Sequence, residues 1–236
     1  MAKVVISRVT LGLLAVVTLG TTLAVAVAAG ASGKSAAKAL VGTFKLTAGS
    51  CASTTPSGTY FRMIFPGGTV AGGKFFDNPD STCADTSYTL VSPGTGGGFK
   101  TGTYQPNPTP AYSTSGGALA DSIIQPQSFT GINFSISTNR TDPQTALSVP
   151  APVIKVKNGK LSGQIEAWSA SWNKLSFNQG SPKPGGSKPG LTLAVSGTYN
   201  AKTHAFVLIW ASAVVGGPFN GFTGYWHLAG VFKAAK

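Results

Sequence analysis

The stretch from Leu191 to Lys233 constrains the fold of this chain more than any other. Leu191, Leu193, Val195, Gly197 and Tyr199 alternate with small or polar residues. Trp226, Leu228, Gly230 and Phe232 alternate with Tyr225, His227, Ala229 and Val231. A period of two turns one side of a strand toward a core. Between these runs, Ala205 to Ala213 is apolar at almost every position and reads as a strand covered on both sides. Asn200 to Thr203 and Gly216-Gly217-Pro218 supply the turns.

The preceding chain speaks the same language. Charged residues make up 10% of the 236, and there are 31 glycines and 15 prolines. Few charges and many turn formers favour short strands over helices. Strands are predicted around Leu40–Leu46, Thr59–Phe65, Thr69–Phe76, Tyr88–Val91 and Thr130–Ile136, with Pro66-Gly67-Gly68 as a turn. Val153–Val156, Asn158-Gly159 and Leu161–Ala167 form the clearest hairpin, because Asn-Gly supplies the positive φ angles of a type I′ turn. Residues 99–128 are irregular, and Gln105 to Pro110 holds three prolines. Ser181 to Gly190 reads as an exposed basic loop, and the glycines and rings of Val214 to Trp226 as a bend that plugs one end of the fold. The expected fold is all-β: an antiparallel sandwich of about ten strands over residues 40–236, with a closed barrel as the alternative. Thr101-Gly102-Thr103-Tyr104 and Ser196-Gly197-Thr198-Tyr199, each followed by Phe-Thr-Gly, leave open two related halves, about 40–145 and 146–236.

Residues 1–30 read as a secretory signal helix. Lys3 and Arg8 precede an apolar run from Val9 to Val27, and Ala24-Val25-Ala26 or Ala26-Val27-Ala28 offers a cleavage site. An uncleaved anchor is the alternative, since the run is long enough to span a bilayer. Residues 31–39 are a small-residue spacer. No second apolar run of about 20 residues follows, so no transmembrane helix is expected once the signal is removed. The expected location is secreted or bound to the cell envelope. There, the two cysteines, Cys51 and Cys83, are expected to pair.

The net charge is +12 over the whole chain, and +10 once Lys3 and Arg8 are set aside with the leader. Beyond the leader only Arg62 and Arg140 are arginine, and the lysines are scattered. Specific nucleic-acid readers lean on clustered arginine, so this class is disfavoured. A diffuse positive field instead suits an anionic envelope polymer, or simply solubility.

Candidate chemistry is sparse. Asp77, Asp80 and Asp85 are oxygen ligands close enough together to suggest Ca²⁺, but Asp77-Asn78-Pro79-Asp80 is equally turn chemistry and fits no EF-hand spacing. Glu166 is the one glutamate. It is expected on a strand, on the face of Trp168 and Trp172, where an acid beside two rings suits sugar binding or glycoside hydrolysis. Those rings are equally core. His227 and Tyr225 share a face of the last strand, and His204 lies at a turn. No nucleophile elbow and no zinc-binding His-Glu-x-x-His pair is present. The expected function is non-catalytic binding or structure, with Trp168, Trp172, Glu166, Tyr225 and His227 as the ligand-facing residues and carbohydrate or an anionic envelope polymer as partner. The alternatives are a secreted hydrolase using Glu166, and a lipophilic-ligand carrier or outer-membrane barrel.

Overall fold

A computed structural model describes residues 36–186 and 188–236. The signal and most of the spacer lie outside the described residues. In chain order come β1 (Lys38–Leu40), β2 (Gly42–Leu46), β3 (Ser50–Ala52), β4 (Thr55–Ser57), β5 (Tyr60–Thr69) and β6 (Gly73–Phe75). Next are β7 (Thr89–Leu90), β8 (Gly98–Lys100), β9 (Gln127–Phe129), β10 (Ile132–Thr138), β11 (Val153–Lys157) and β12 (Lys160–Gln164). β13 (Trp168–Trp172), β14 (Leu175–Asn178), β15 (Leu193–Tyr199), β16 (Ala205–Ala213) and β17 (Thr223–Ala234) complete the set. Among the described residues there is no helix. The strands outnumber the expected ten because the first half of the chain uses many pieces of two or three residues.

All pairings are antiparallel. The main sheet runs β1-β11-β12-β15-β16-β17-β2-β8, and β5 leaves it from β17 and carries β6 and β7. β16 and β17 pair over nine successive positions, from Ala205↔Val231 to Ala213↔Thr223. The centre is therefore where the alternation of the last third places it. β17 is long enough to take two partners on its other side, β5 along Thr223–His227 and β2 along Gly230–Ala234. β1 and β2 are separated only by Val41, yet β1 pairs β11 and β2 pairs β17. Residues 38–46 thus join distant parts of the path, and the sheet curls back on itself.

A second sheet, β14-β13-β10-β9, lies against the first. Trp168 of β13 makes edge contacts with Trp210 and Trp226, its centroid 5.1 and 5.5 Å from theirs. Phe134 of β10 packs on Phe61 of β5 at 5.8 Å. Phe44, Phe99, Phe206, Phe232 and Leu208 continue the same core. Burying a large ring contributes roughly 1.5–3 kcal/mol, so these contacts dominate the fold's favourable terms.

The Asn158-Gly159 hairpin forms as expected, with φ of 50° and 73°. Pro66-Gly67-Gly68 does not turn the chain. β5 runs through it to Thr69, with a register irregularity against β6 between Ile64 and Thr69. Pro66 has no N–H to give, and a bulge is where a strand tolerates that. The loop from Ser181 is also more enclosed than expected, since Ser181 and Lys183 are buried. The two Gly-Thr-Tyr copies differ in structure: Gly102 sits in a bend and Gly197 within β15.

Candidate functional site

β5 and β17 build the site. Phe61 and Met63 point into the core, so Tyr60 and Arg62 point out; Trp226 and Leu228 point in, so Tyr225 and His227 point out. The register sets Tyr225 opposite Arg62 and His227 opposite Tyr60. Four polar or aromatic side chains thereby share one outer face. Tyr60 stacks parallel on the His227 ring, with 4.4 Å between centroids and 5° between planes. Tyr88, from the loop before β7, meets Tyr60 edge-on at 5.2 Å.

Arg62 is held between rings and oxygens. Its guanidinium carbon lies 3.2 Å from the Phe75 centroid and 3.9 Å from that of Tyr88. Nη1 donates to the Tyr88 hydroxyl at 3.1 Å, and Nη2 donates to Ser87 Oγ. Asp85 stands 3.8 Å away and fixes Ser87 by accepting from its N–H at 3.0 Å and its hydroxyl at 2.6 Å. Arg62 Nε has no partner among the described residues.

Electrostatics follow from half-burial. Burial pushes the Tyr60 hydroxyl far above its ordinary value, with Tyr225 and Tyr88 adding to the rise. It also raises Tyr225, while the hydrogen bond with Tyr60 partly opposes that. Burial lowers Arg62, with Tyr88 and Asp85 countering. His227 is lowered by burial, and the Gly58 carbonyl pulls the other way. That carbonyl lies 3.0 Å from Nδ1 and so places the proton there, leaving Nε2 as an acceptor. The face therefore offers neutral phenols, a neutral imidazole and a fixed guanidinium. These are groups for stacking and hydrogen bonding, and burial sets the Tyr60 and Tyr225 hydroxyls further from ionisation than an ordinary phenol.

Beside this face runs a polar cleft of about 260 Å³, lined by Gly49, Asp80, Ser81, Leu90, Ser92 and Gln127 among others. Leu90 of β7 is the register partner of Tyr60, which makes the cleft and the tyrosines neighbours. Asp80 Oδ2 accepts from Gly131 N–H at 2.6 Å and from Ser128 Oγ at 2.8 Å, and these bonds hold its carboxyl below the ordinary range.

No known protein family, curated protein or solved structure matches this chain.

The structure brings together only part of the ligand set expected from the sequence. Tyr225 and His227 belong to the outer face. Trp168 does not: it is fully buried, with Phe99, Trp210 and Trp226 around it. Trp172 is half-buried, donates Nε1–H to the Phe129 carbonyl at 2.9 Å and lies 5.3 Å from Phe219. Phe219, from the glycine-rich bend, closes an apolar cavity of about 40 Å³ between the sheets, with Phe61, Phe129 and Trp172 among its walls. The bend acts as a plug. The cavity is far smaller than the ~150 Å³ void that holds benzene, which leaves no room there for a lipophilic cargo.

Glu166 is not on a strand. It lies in the turn Ile165–Ala167 that carries the chain from β12 to β13. Its carboxylate makes no hydrogen bond among the described residues, and burial alone raises it, with no second charge contributing. A two-carboxylate arrangement is not built there. Asp77, Asp80 and Asp85 do not converge either. Asp77 accepts from Thr86, Asp80 from Ser128 and Gly131, and Asp85 faces Arg62. Among the described residues no group of three His, Cys, Asp or Glu side chains is placed to hold a metal. Cys51 and Cys83 are bonded, Cα to Cα 5.5 Å.

Tyr60, Arg62 and Tyr88 were not among the residues singled out for binding. Arg62 did carry a signal, a lone cation on the solvent side of the Phe61/Met63 alternation. Tyr60 falls on the same side two residues earlier.

Proposed function

We propose that this is an exported, non-catalytic binding protein whose outer face of Tyr60, Arg62, Tyr88, Tyr225 and His227 takes a carbohydrate chain of the cell envelope. The parallel stack of Tyr60 on His227, set in a row of half-exposed phenols, carries the reading. Aromatic faces accept the C–H surface of a sugar, while phenol, imidazole and guanidinium serve its hydroxyls and acidic substituents. The adjoining polar cleft extends the surface with Asp80 and Gln127. The disulfide suits an oxidising location, and among the described residues no helix is long and apolar enough to cross a membrane. The layering of a four-stranded sheet on a curled one is read as a sandwich with barrel character at its Val41 seam.

The test is a glycan and envelope-polymer screen on the protein lacking residues 1–30, by array and then calorimetry. Tyr60→Ala and Tyr225→Ala are expected to weaken a bound glycan at least tenfold, about 1.4 kcal/mol each. Trp172→Phe, between the sheets, is expected to leave it unchanged. No binding to any neutral or acidic glycan, or binding indifferent to both tyrosine variants, overturns the assignment.

A further inference from the structure

The turn after β14 buries an amine against an amide. Lys183 is 9% exposed, Asn178 2% and Asp142 1%. Lys183 Nζ donates to the main-chain carbonyl of Asn178 and lies 3.5 Å from Asn178 Oδ1. The Asn178 carboxamide is clamped at both ends: Oδ1 accepts from Gly180 N–H at 3.0 Å, and Nδ2 donates to the Glu166 carbonyl at 2.7 Å. A backbone N–H on an amide oxygen is placed to steady the charge that develops when a nucleophile adds to the carbon. Asp142 accepts from Thr145 N–H and Oγ–H through Oδ2, while its buried Oδ1 has no partner among the described residues. Burial brings the amine down to about 8; of the charged groups around it, Asp142 opposes the fall and Lys188 adds to it. A desolvated lysine near neutrality supplies the uncharged amine that nucleophilic attack requires.

We infer that Lys183 and Asn178 join in an intramolecular amide bond that the folded chain forms by itself. Neutral Nζ adds to Cγ of Asn178 and the Gly180 N–H holds the oxygen. The Nζ proton passes to Nδ2 within the adduct; the Cγ–Nδ2 bond breaks and ammonia leaves. One C–N bond forms, one breaks, and nothing is oxidised or reduced. Gln144 Oε1 also lies 3.5 Å from Nζ, and accepts from Asn178 N–H at 3.1 Å. Its residue is only half-buried. Asn178 is the drier carboxamide, and water competes less for the adduct there.

Mass spectrometry of the full chain as purified tests this. Lys183 and Lys188 each precede proline, so trypsin leaves residues 175–202 as a single peptide. That peptide is expected about 17 Da light, one ammonia, with a fragment-ion gap across residues 178–183. The deficit should survive hydroxylamine, disappear in Lys183→Arg and in Asn178→Ala, and remain in Gln144→Ala. An unmodified peptide from the wild-type chain overturns the inference without any variant needing to fold. So does a deficit that hydroxylamine removes and Lys183→Arg keeps, which is a succinimide. A link to the peptide spanning residues 141–155 overturns Asn178 as the donor. Glycan binding at the tyrosine face is read separately and neither supports nor weakens this bond.

Discussion

Trp168 and His227 show how one strand position decides a residue's work. Trp168 sits where both sheets close on it, so Trp168→Ala is expected to cost about 3–5 kcal/mol of stability by urea unfolding, with no bearing on a sugar-binding surface. Alternation alone could not place it, because β13 is covered on both faces: Ser169 and Ser171 are as buried as Trp168. Polar residues that look like a solvent face are here hydrogen-bonded within the protein, as Ser169 is to the Phe177 carbonyl at 3.3 Å. His227 was legible as an outward residue, and its stack with Tyr60 was not, since that depends on a pairing between segments about 167 residues apart. Burial lowers His227, so the unfolded chain binds a proton more readily than the folded one. The stability this confers is complete above the ordinary histidine value near 6.5 and is lost as pH falls toward the lower folded value. Melting temperature is expected to be lower at pH 5 than at pH 7, and His227→Gln to reduce that difference.

At the scale of elements, local chemistry was readable and long-range pairing was not. The Asn158-Gly159 turn and the strands β15 to β17 follow from their own residues. Glu166 was assigned to a strand because the apolar alternation continues through it, yet the chain turns at Ile165–Ala167 to change sheets. The cysteine count anticipated the Cys51–Cys83 bond, which ties β3 to the loop carrying Tyr88. The double variant Cys51→Ala/Cys83→Ala is expected to lose about 2–4 kcal/mol in denaturant titration. The β17–β2 ladder depends on close backbone approach at Gly230, where a Cβ would lie 1.9 Å from the Lys45 carbonyl oxygen. Gly230→Val is therefore expected to cost at least ~1–3 kcal/mol, measured in the same titration.

The whole molecule joins a strong positive charge to a surface poor in charged pairs. Among the described residues one ion pair is formed, Arg62 with Asp85. Among the described residues Lys183 alone of the lysines is buried, and the others are at least partly exposed. If the ligand of the tyrosine face is acidic, retention on an immobilised acidic glycan should fall steeply between about 0.05 and 0.5 M salt, as the screening length shrinks from over 10 Å to a few. A neutral glycan should be held equally at both. The Val41 junction has a consequence for how such a molecule comes into being. β2 takes one neighbour, β8, from the first half of the chain and the other, β17, from residues 230–234, so that second side stays unpaired until those residues are present. That ladder is the most distant contact in sequence that β2 makes, and it is a late step in any folding order in which near neighbours pair first.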